Sequence, residues 1–331
     1  MDGSTTISEL EFDVVVVGGG SAGVAAAASA SRAGARTILI ERYGFAGGAA
    51  TTSSVLAYCG LYANTEEPCP VVGGVAMEVL SELGKLGLPV APVRLRATGN
   101  WIVPLNPEAV KVALDRTLIN AGVMVYYHSF VTGAEMANRR LNAVEVCGHF
   151  GKLRISATAF VDASGEGDLC FFVDRNAFSE NANIQPASYP LRIGGVSADW
   201  ALDRSLFKAA TQTYNASNPE LRARENGGVV LRVPGASDLW WMALDLETNP
   251  CDGLHFSLAE VASRECAWRL VECLKGANPI LGDCYLASSG PQIGVRESRH
   301  PQTIVKVKAR DIIDAAMPTD TIALGGWPME I

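Results

Sequence analysis

The stretch that decides the fold is Asp13-Val14-Val15-Val16-Val17-Gly18-Gly19-Gly20-Ser21-Ala22-Gly23. Four consecutive valines read as a strand buried on both faces of a parallel sheet. The glycines open directly into an Ala-rich helix that ends near Gly34, and a second apolar run, Thr37-Ile38-Leu39-Ile40, terminates in Glu41. Strand, glycine turn, helix, strand and acid in this order form a dinucleotide-binding βαβ unit, with Gly18, Gly20 and Gly23 as its three spaced glycines. The first permits the tight turn, the second lets backbone approach a pyrophosphate, and the third lets helix and strand touch. Ser21 and Ala22 begin the helix, whose free N–H groups and positive dipole end suit phosphate. Glu41 lies 23 residues after Gly18, close to the ~20 expected for a carboxylate that accepts from ribose hydroxyls. The same carboxylate would repel a 2′-phosphate, which argues against NADP here. An ordinary α/β protein with a Gly-rich turn is the competing reading, and only the complete order of elements disfavours it.

Composition agrees with a packed α/β protein. The chain has 331 residues, 48% of them hydrophobic, and only 19% charged, below the roughly 25% usual for globular chains. Its 33 glycines exceed the typical ~7%. A net charge of −8 offers no basic surface for nucleic acid. The N-terminus lacks a basic-then-apolar signal, and glycines interrupt the most apolar stretch, Val14 to Ala30, so no membrane span is expected. Eight cysteines contain no CxxC pair, so reduced thiols and a cytoplasmic location are expected. The sequon Asn215-Ala216-Ser217 carries no meaning in that compartment. No His/Cys/Asp cluster has metal-ligand spacing, and the serine-hydrolase elbow is absent.

Beyond Glu41 the chain continues Arg42-Tyr43-Gly44-Phe45-Ala46-Gly47-Gly48-Ala49-Ala50-Thr51, where a second Gly pair lets backbone approach an extended ligand. A further glycine motif, Asp162-Ala163-Ser164-Gly165-Glu166-Gly167-Asp168, follows another apolar strand. With these motifs the chain resembles the FAD-dependent oxidoreductase family with the glutathione-reductase type of Rossmann fold. It looks most similar to the fumarate reductase/succinate dehydrogenase flavoprotein-like branch. Gln185-Pro186-Ala187-Ser188, Gly294-Val295-Arg296-Glu297-Ser298-Arg299 and Gly325-Gly326-Trp327-Pro328 extend the resemblance along the chain.

The resemblance implies FAD as cofactor. It places Glu41 and Arg42 around the adenosine ribose, and carries Gly47, Gly48 and Thr51 along the ligand toward the flavin. Val131 would touch adenine through its backbone, and Ser164, Gly165 and Asp168 would lie on the pyrophosphate side. No histidine falls between Glu41 and Thr52, so the histidyl–flavin link of succinate dehydrogenase-like proteins is not supported.

The expected organisation is an FAD-binding domain over residues 1–169, an inserted α+β substrate (cap) domain over 170–290, and a return toward the FAD domain over 291–331. Helices are expected from Gly73 to Leu86 and from Pro107, capped by Asn106, to Ala121. Short strands over Val123–Tyr127, Val131–Met136, Ala143–Val146 and Leu153–Ile155 suggest a β-meander layer. In the cap, Leu191–Gly195, Val229–Val233 and Trp240–Leu244 read as strands and Trp200–Tyr214 as a helix. Ser257-Leu258-Ala259-Glu260 reads as a capping-box helix start, with that helix ending at Gly276. Full-length relatives supply a last strand and a Gly-rich helix start after the cap, and none follows Trp327-Pro328. A second polypeptide, cleavage and loss of the flavin end compete as explanations; the first two are favoured because a half-built site exposes apolar surface.

The expected chemistry passes a hydride between flavin N5 and a small organic substrate, with a side chain handling the proton. Arg296 suits charge stabilisation near the flavin or an anionic substrate, against a structural pairing with Glu297. His300 and His255 are proton-transfer candidates, against solvated or core histidines. Cys59 falls shortly after Gly47-Gly48 and could face the flavin, against an inert thiol. Trp240 and Trp241 alternate across a strand, so at most one lines a pocket. A non-catalytic FAD-bearing assembly subunit is the alternative class. A tRNA-modifying flavoprotein shares the glycine start but not the acidic charge.

Overall fold

The computed structural model describes residues 8–96, 98–179, 184–321 and 323–328. Its centre is a six-stranded mixed sheet. From one edge the strands are Met124–Tyr126, Thr37–Ile40, Ser8–Val17, Gly151–Asp162, Arg140–Gly148 and Phe130–Ala137. The first four run parallel, and each of the last two pairs antiparallel with the strand before it. The valine run is buried as expected: Val15, Val16 and Val17 are at most 5% exposed. Alternation splits them between two cores. Val16 and Leu39 meet Val24 and Ala27 of the helix Ser21–Arg32 on one face. Val15, Val17, Ile38 and Ile40 meet Val144, Leu153 and Ile155 on the other.

Register then fixes the site. Val17 is level with Ile40 on one side and with Asp162 on the other. Gly18, Glu41 and Ala163 therefore leave the sheet side by side at the carboxyl ends of three parallel strands, where open α/β sheets hold ligands. The helices Val75–Lys85 and Pro107–Asn120 close that face of the sheet. Asn106 caps the second, accepting from the Glu108 and Ala109 N–H groups.

The meander differs from expectation. It is no separate layer, because Gly151–Asp162 is one continuous 12-residue strand. It pairs in parallel with Ser8–Val17 and antiparallel with Arg140–Gly148, so the meander extends the cofactor sheet itself.

A second sheet is antiparallel, in the order Val229–Arg232, Leu239–Met242, Leu191–Gly194, Tyr285–Ser289. Its core is built with the helices Arg204–Ser217 and Gly253–Ala277 around Tyr189, Phe207, Tyr214 and Trp241. The two tryptophans alternate. Trp241 lies edge-on to Phe207 at 5.1 Å, while Trp240 packs with Leu56 and donates to the Ser54 carbonyl at 2.5 Å.

The long helix begins earlier than its sequence suggests. Asp252 is the cap, accepting from Leu254 and His255 N–H at 3.0 Å. Ser257 sits inside the helix and donates back to the Gly253 carbonyl. An Asp five residues upstream supplies an equivalent acceptor, so the Ser-x-x-Glu pattern is not needed as a start. Residues 301–321 are exposed throughout. The chain then returns to the body, where Gly326 donates to the Gly60 carbonyl at 2.8 Å. A Cβ at position 326 would sit 2.0 Å from the Tyr62 carbonyl oxygen.

Candidate active site

The three spaced glycines do different work. Gly18 has φ +98°, and a Cβ there would lie 2.2 Å from the Ala163 carbonyl oxygen. At Gly23 it would lie 1.8 Å from the Gly18 carbonyl oxygen. Both are therefore glycine because of the fold. Gly20 has ordinary extended backbone, φ −70° and ψ −175°. A Cβ there meets only the Gly48 Cα, at a relaxed 3.8 Å. The protein's own packing thus leaves open the space that a ligand backbone contact would use. Gly20 also caps the helix Ser21–Arg32 with no side-chain hydrogen bond and no acid in the first turn. The N–H groups of that turn are left for an anion.

Around this helix end lies a cleft of about 490 Å³, a volume in the cofactor-site range of roughly 300–1,000 Å³. Gly18, Gly20, Ser21 and Ala22 line one wall, with Glu41, Arg42 and Gly48 beside them. Val131 lines the far end with Ser129 and Phe130, and Ser164, Gly165 and Asp168 form the second glycine wall. Arg296 and His300 close the cleft from the segment that follows the second sheet.

Glu41 is 6% exposed. Its carboxylate accepts from Gly19 N–H at 2.6 Å and Tyr43 N–H at 2.8 Å, which fixes it at the cleft floor. Arg42 reaches Gln292 at 3.4 Å and lies over the Tyr43 ring. Asp162 holds the second glycine loop, with Oδ1 accepting from Ser164 Oγ and Oδ2 from Cys170 N–H. Asp168 pairs with Arg299 at 2.8 Å, and that guanidinium also lies over the Phe171 ring at 4.2 Å.

Arg296 does not pair with Glu297. Its Nε and Nη2 donate to Ser188 Oγ at 3.1 and 2.8 Å. Ser188 Oγ donates to Asp245 at 2.8 Å, and Arg224 holds the same carboxylate through two nitrogens. Burial raises the Asp245 pKa, but hydrogen bonds from Arg224 and Ser188 outweigh it and hold the carboxyl below its ordinary value. Glu297 instead pairs with His300 Nε2 at 2.7 Å and accepts from Gln185 N–H. Among the described residues no carboxylate lies within ion-pair distance of Arg42 or Arg296.

Five of the residues singled out from sequence do not line the cleft. Gly23 sits behind it in the helix–strand contact. Gly47 donates its N–H to the Gly19 carbonyl, and the Thr51 hydroxyl is spent on the Ala46 carbonyl. Thr52 and Ser53 face the cleft in its place. His255 is exposed in the first turn of the long helix, its Nδ1 accepting from Asn249 N–H at 3.0 Å. Cys59 is exposed on the short strand Ala57–Cys59, opposite Ile102. The neighbouring Tyr58 phenol is pushed up to about 12 by burial. Sequence reasoning missed Gln292, Ser188, Asp245 and Arg224, which meet here from distant segments and carry no local spacing signal. Among the described residues no group of three metal-ligating side chains occurs, and no helix is long and apolar enough to cross a membrane.

This sheet, with a glycine-lined helix end and a carboxylate at the next strand end, defines a dinucleotide-binding α/β protein. The FAD dependent oxidoreductase family matches residues 13–331, and the chain belongs to that family. No curated protein matches the chain. Among solved structures it is similar to a geranylgeranyl bacteriochlorophyll reductase-like protein from Thermoplasma acidophilum. There the TM-score is 0.52 at 15% identity, covering 87% of this chain and 66% of that one. It is also similar to the myxobacterial chondrochloren halogenase, an FAD-dependent halogenase, with TM-score 0.50 at 18% identity, covering 87% and 64%. These likenesses concern the fold, and the chain spans slightly under two thirds of the length of either structure.

Proposed function

We propose that this FAD-dependent oxidoreductase passes a hydride between flavin N5 and a small organic substrate that carries a carboxylate or similar anion. One observation carries the reading. A single cleft is lined both by the open helix end at Gly20–Ala22 and by Arg296 and His300. Bound FAD supplies the two-electron chemistry. In this reading Gly20, Ser21 and Ala22 hold its pyrophosphate, Glu41 its ribose, and Ser164 and Gly165 the far side of the phosphates. Arg296 orients the substrate anion, its guanidinium held in place through Nε and Nη2 by Ser188. His300, paired with Glu297, holds or gives up the proton that accompanies hydride transfer.

The fumarate reductase-like branch is part of the proposal, supported by the Asp162–Asp168 and Gly294–Arg299 motifs. So are a cytoplasmic location, on the grounds of the cysteine pattern, and a second polypeptide that completes the FAD domain, for which residues 301–321 offer an apolar landing. There Ile304, Val305, Val307, Ile313 and Met317 are exposed. The test is anaerobic bleaching of the bound flavin by a panel of small carboxylates and their amides. Carboxylates should bleach it and amides should not, and Arg296→Met should remove the difference. Equal rates for acids and amides in the wild-type protein would overturn the substrate assignment.

A further inference from the structure

Arg42, Arg296 and Arg299 all line the cleft, and they are held in two different ways. Arg299 is paired with a carboxylate, Asp168, at 2.8 Å, so its charge is already answered. Arg296 rests on the Ser188 hydroxyl, and Arg42 is likewise held by neutral groups. Its Nη2 donates to Gln292 Oε1 at 3.4 Å, and its guanidinium lies 5.4 Å from the centre of the Tyr43 ring. The Tyr43 hydroxyl donates to the same Gln292 oxygen, and burial raises that phenol's pKa, which keeps the donor protonated. The acids around them have other partners. Glu41 accepts from two backbone N–H groups, Glu166 from Ser298, and Glu260 from the Ile293 N–H and from Arg264.

We propose that Gln292 is a positioning residue for FAD: it fixes Arg42 through a neutral oxygen and so leaves the guanidinium charge for the cofactor's pyrophosphate. The inference rests on the reading that FAD occupies this cleft. The phosphates are FAD's anionic groups, and the helix end at Gly20–Ala22 meets them with partial charge only. A full cation lining the same cleft completes the match, because charge-assisted bonds to phosphate are about twice as strong as neutral ones. A carboxylate at position 292 would grip Arg42 harder but cancel its charge. An amide of the same shape grips without cancelling.

The main chain of Gln292 is fixed independently of its side chain. Its N–H donates to the Thr52 carbonyl at 3.2 Å. Its neighbour Ile293 is bonded to Glu260 at 2.7 Å and to Ser53 at 3.3 Å. The amide is therefore presented at a set place beside Arg42 and Tyr43, and changing it leaves these moorings intact. Gln292 lies 250 residues from Arg42, so no motif spacing announces the pair.

Calorimetric titration of FAD into the deflavinated full chain, with melts of each protein before FAD is added, tests this. Gln292→Glu still accepts from both Arg42 and Tyr43, so it should melt at or above the wild-type temperature. Its FAD affinity should nevertheless fall roughly 10-fold, the worth of one charge-assisted hydrogen bond. Gln292→Met, which removes the acceptor, should weaken FAD binding in the wild type but not in an Arg42→Met background, because Gln292 acts through Arg42. Wild-type affinity in Gln292→Glu overturns the proposal. So does a loss that only tracks a lowered melting temperature, or a loss from Gln292→Met that persists undiminished beside Arg42→Met. Gly20→Ala tests the underlying site reading separately. If it and Arg42→Met both bind FAD like wild type, the cleft is not the cofactor's. A weakened Gly20→Ala beside a normal Arg42→Met overturns the role of Arg42 and Gln292 alone.

Discussion

The two walls of the cleft are built on opposite plans. The wall at Gly18–Gly23 and Gly48 is almost all main chain: a helix end, two close backbone crossings and one carboxylate pinned by N–H groups. The wall at Arg296–His300 is a mosaic of side chains, in which Ser188 holds the Arg296 guanidinium and is itself held by Asp245, which Arg224 fixes in turn. A wall of main chain binds whatever carries the matching phosphates and ribose, and it tolerates little change in shape. A wall of side chains sets which substrate is accepted, and single residues can retune it.

Substitutions break this contrast in a graded way. The largest effect should come from Gly23→Ala, whose new Cβ would stand 1.8 Å from the Gly18 carbonyl oxygen. The helix must move off the strand, and overpacking of this kind costs roughly 1–3 kcal/mol. Thermal melts should show the fall in stability, and the purified variant should have lost its flavin absorbance. Next is Glu41→Gln, which turns an NH₂ toward either the Gly19 or the Tyr43 N–H. A buried donor without its acceptor costs about 1–3 kcal/mol, and FAD affinity measured by titration should fall in parallel.

Asp245→Asn probes the other wall and should act more gently. Its carboxylate and Arg224 are about 30% exposed, so the loss should be about 1 kcal/mol after solvent screening. The clearer readout is KM for an anionic substrate, which should rise while flavin content stays at the wild-type level. The pH dependence has a definite sign. The folded-state pKa of Asp245 lies below the ordinary 3.8, so its stabilisation is complete above that value and fades as the pH falls below it. The stability gap between wild type and Asp245→Asn should therefore close in acid and not in alkali. The smallest effect concerns Cys170. Burial and a hydrogen bond to Asp162 raise its thiol to about 11, so near pH 8 it should alkylate well after the exposed Cys69. Peptide mapping of a labelling time course would show the order.

The same contrast explains what was legible in the sequence. Gly18, Gly20, Gly23 and Glu41 lie within 24 consecutive residues and obey rules of backbone geometry, so their spacing announces them. The strand Thr37–Ile40 and the Asn106 cap were legible for the same local reason. Arg296 could be picked out, but not its partner: Ser188 lies 108 residues away, and Asp245 meets it only because the short strands Ala187–Ser188 and Asp245–Leu246 pair. His255 drew attention by residue type and Cys59 by its place after Gly47-Gly48, and their surroundings proved to be an exposed helix turn and an exposed strand. The Ser257 helix start misled because a complete cap already existed at Asp252, five residues earlier.

The central claim is that the space beside Gly20 is kept for FAD rather than for the fold. Calorimetric titration of FAD into wild type and Gly20→Ala, with melts of both proteins before FAD is added, tests it most directly. The account predicts one FAD per wild-type chain, nearly equal melting temperatures without FAD, and binding to the variant weaker by roughly 100-fold, about 2.7 kcal/mol. A Gly20→Ala protein that melts like wild type and binds FAD equally well would contradict it.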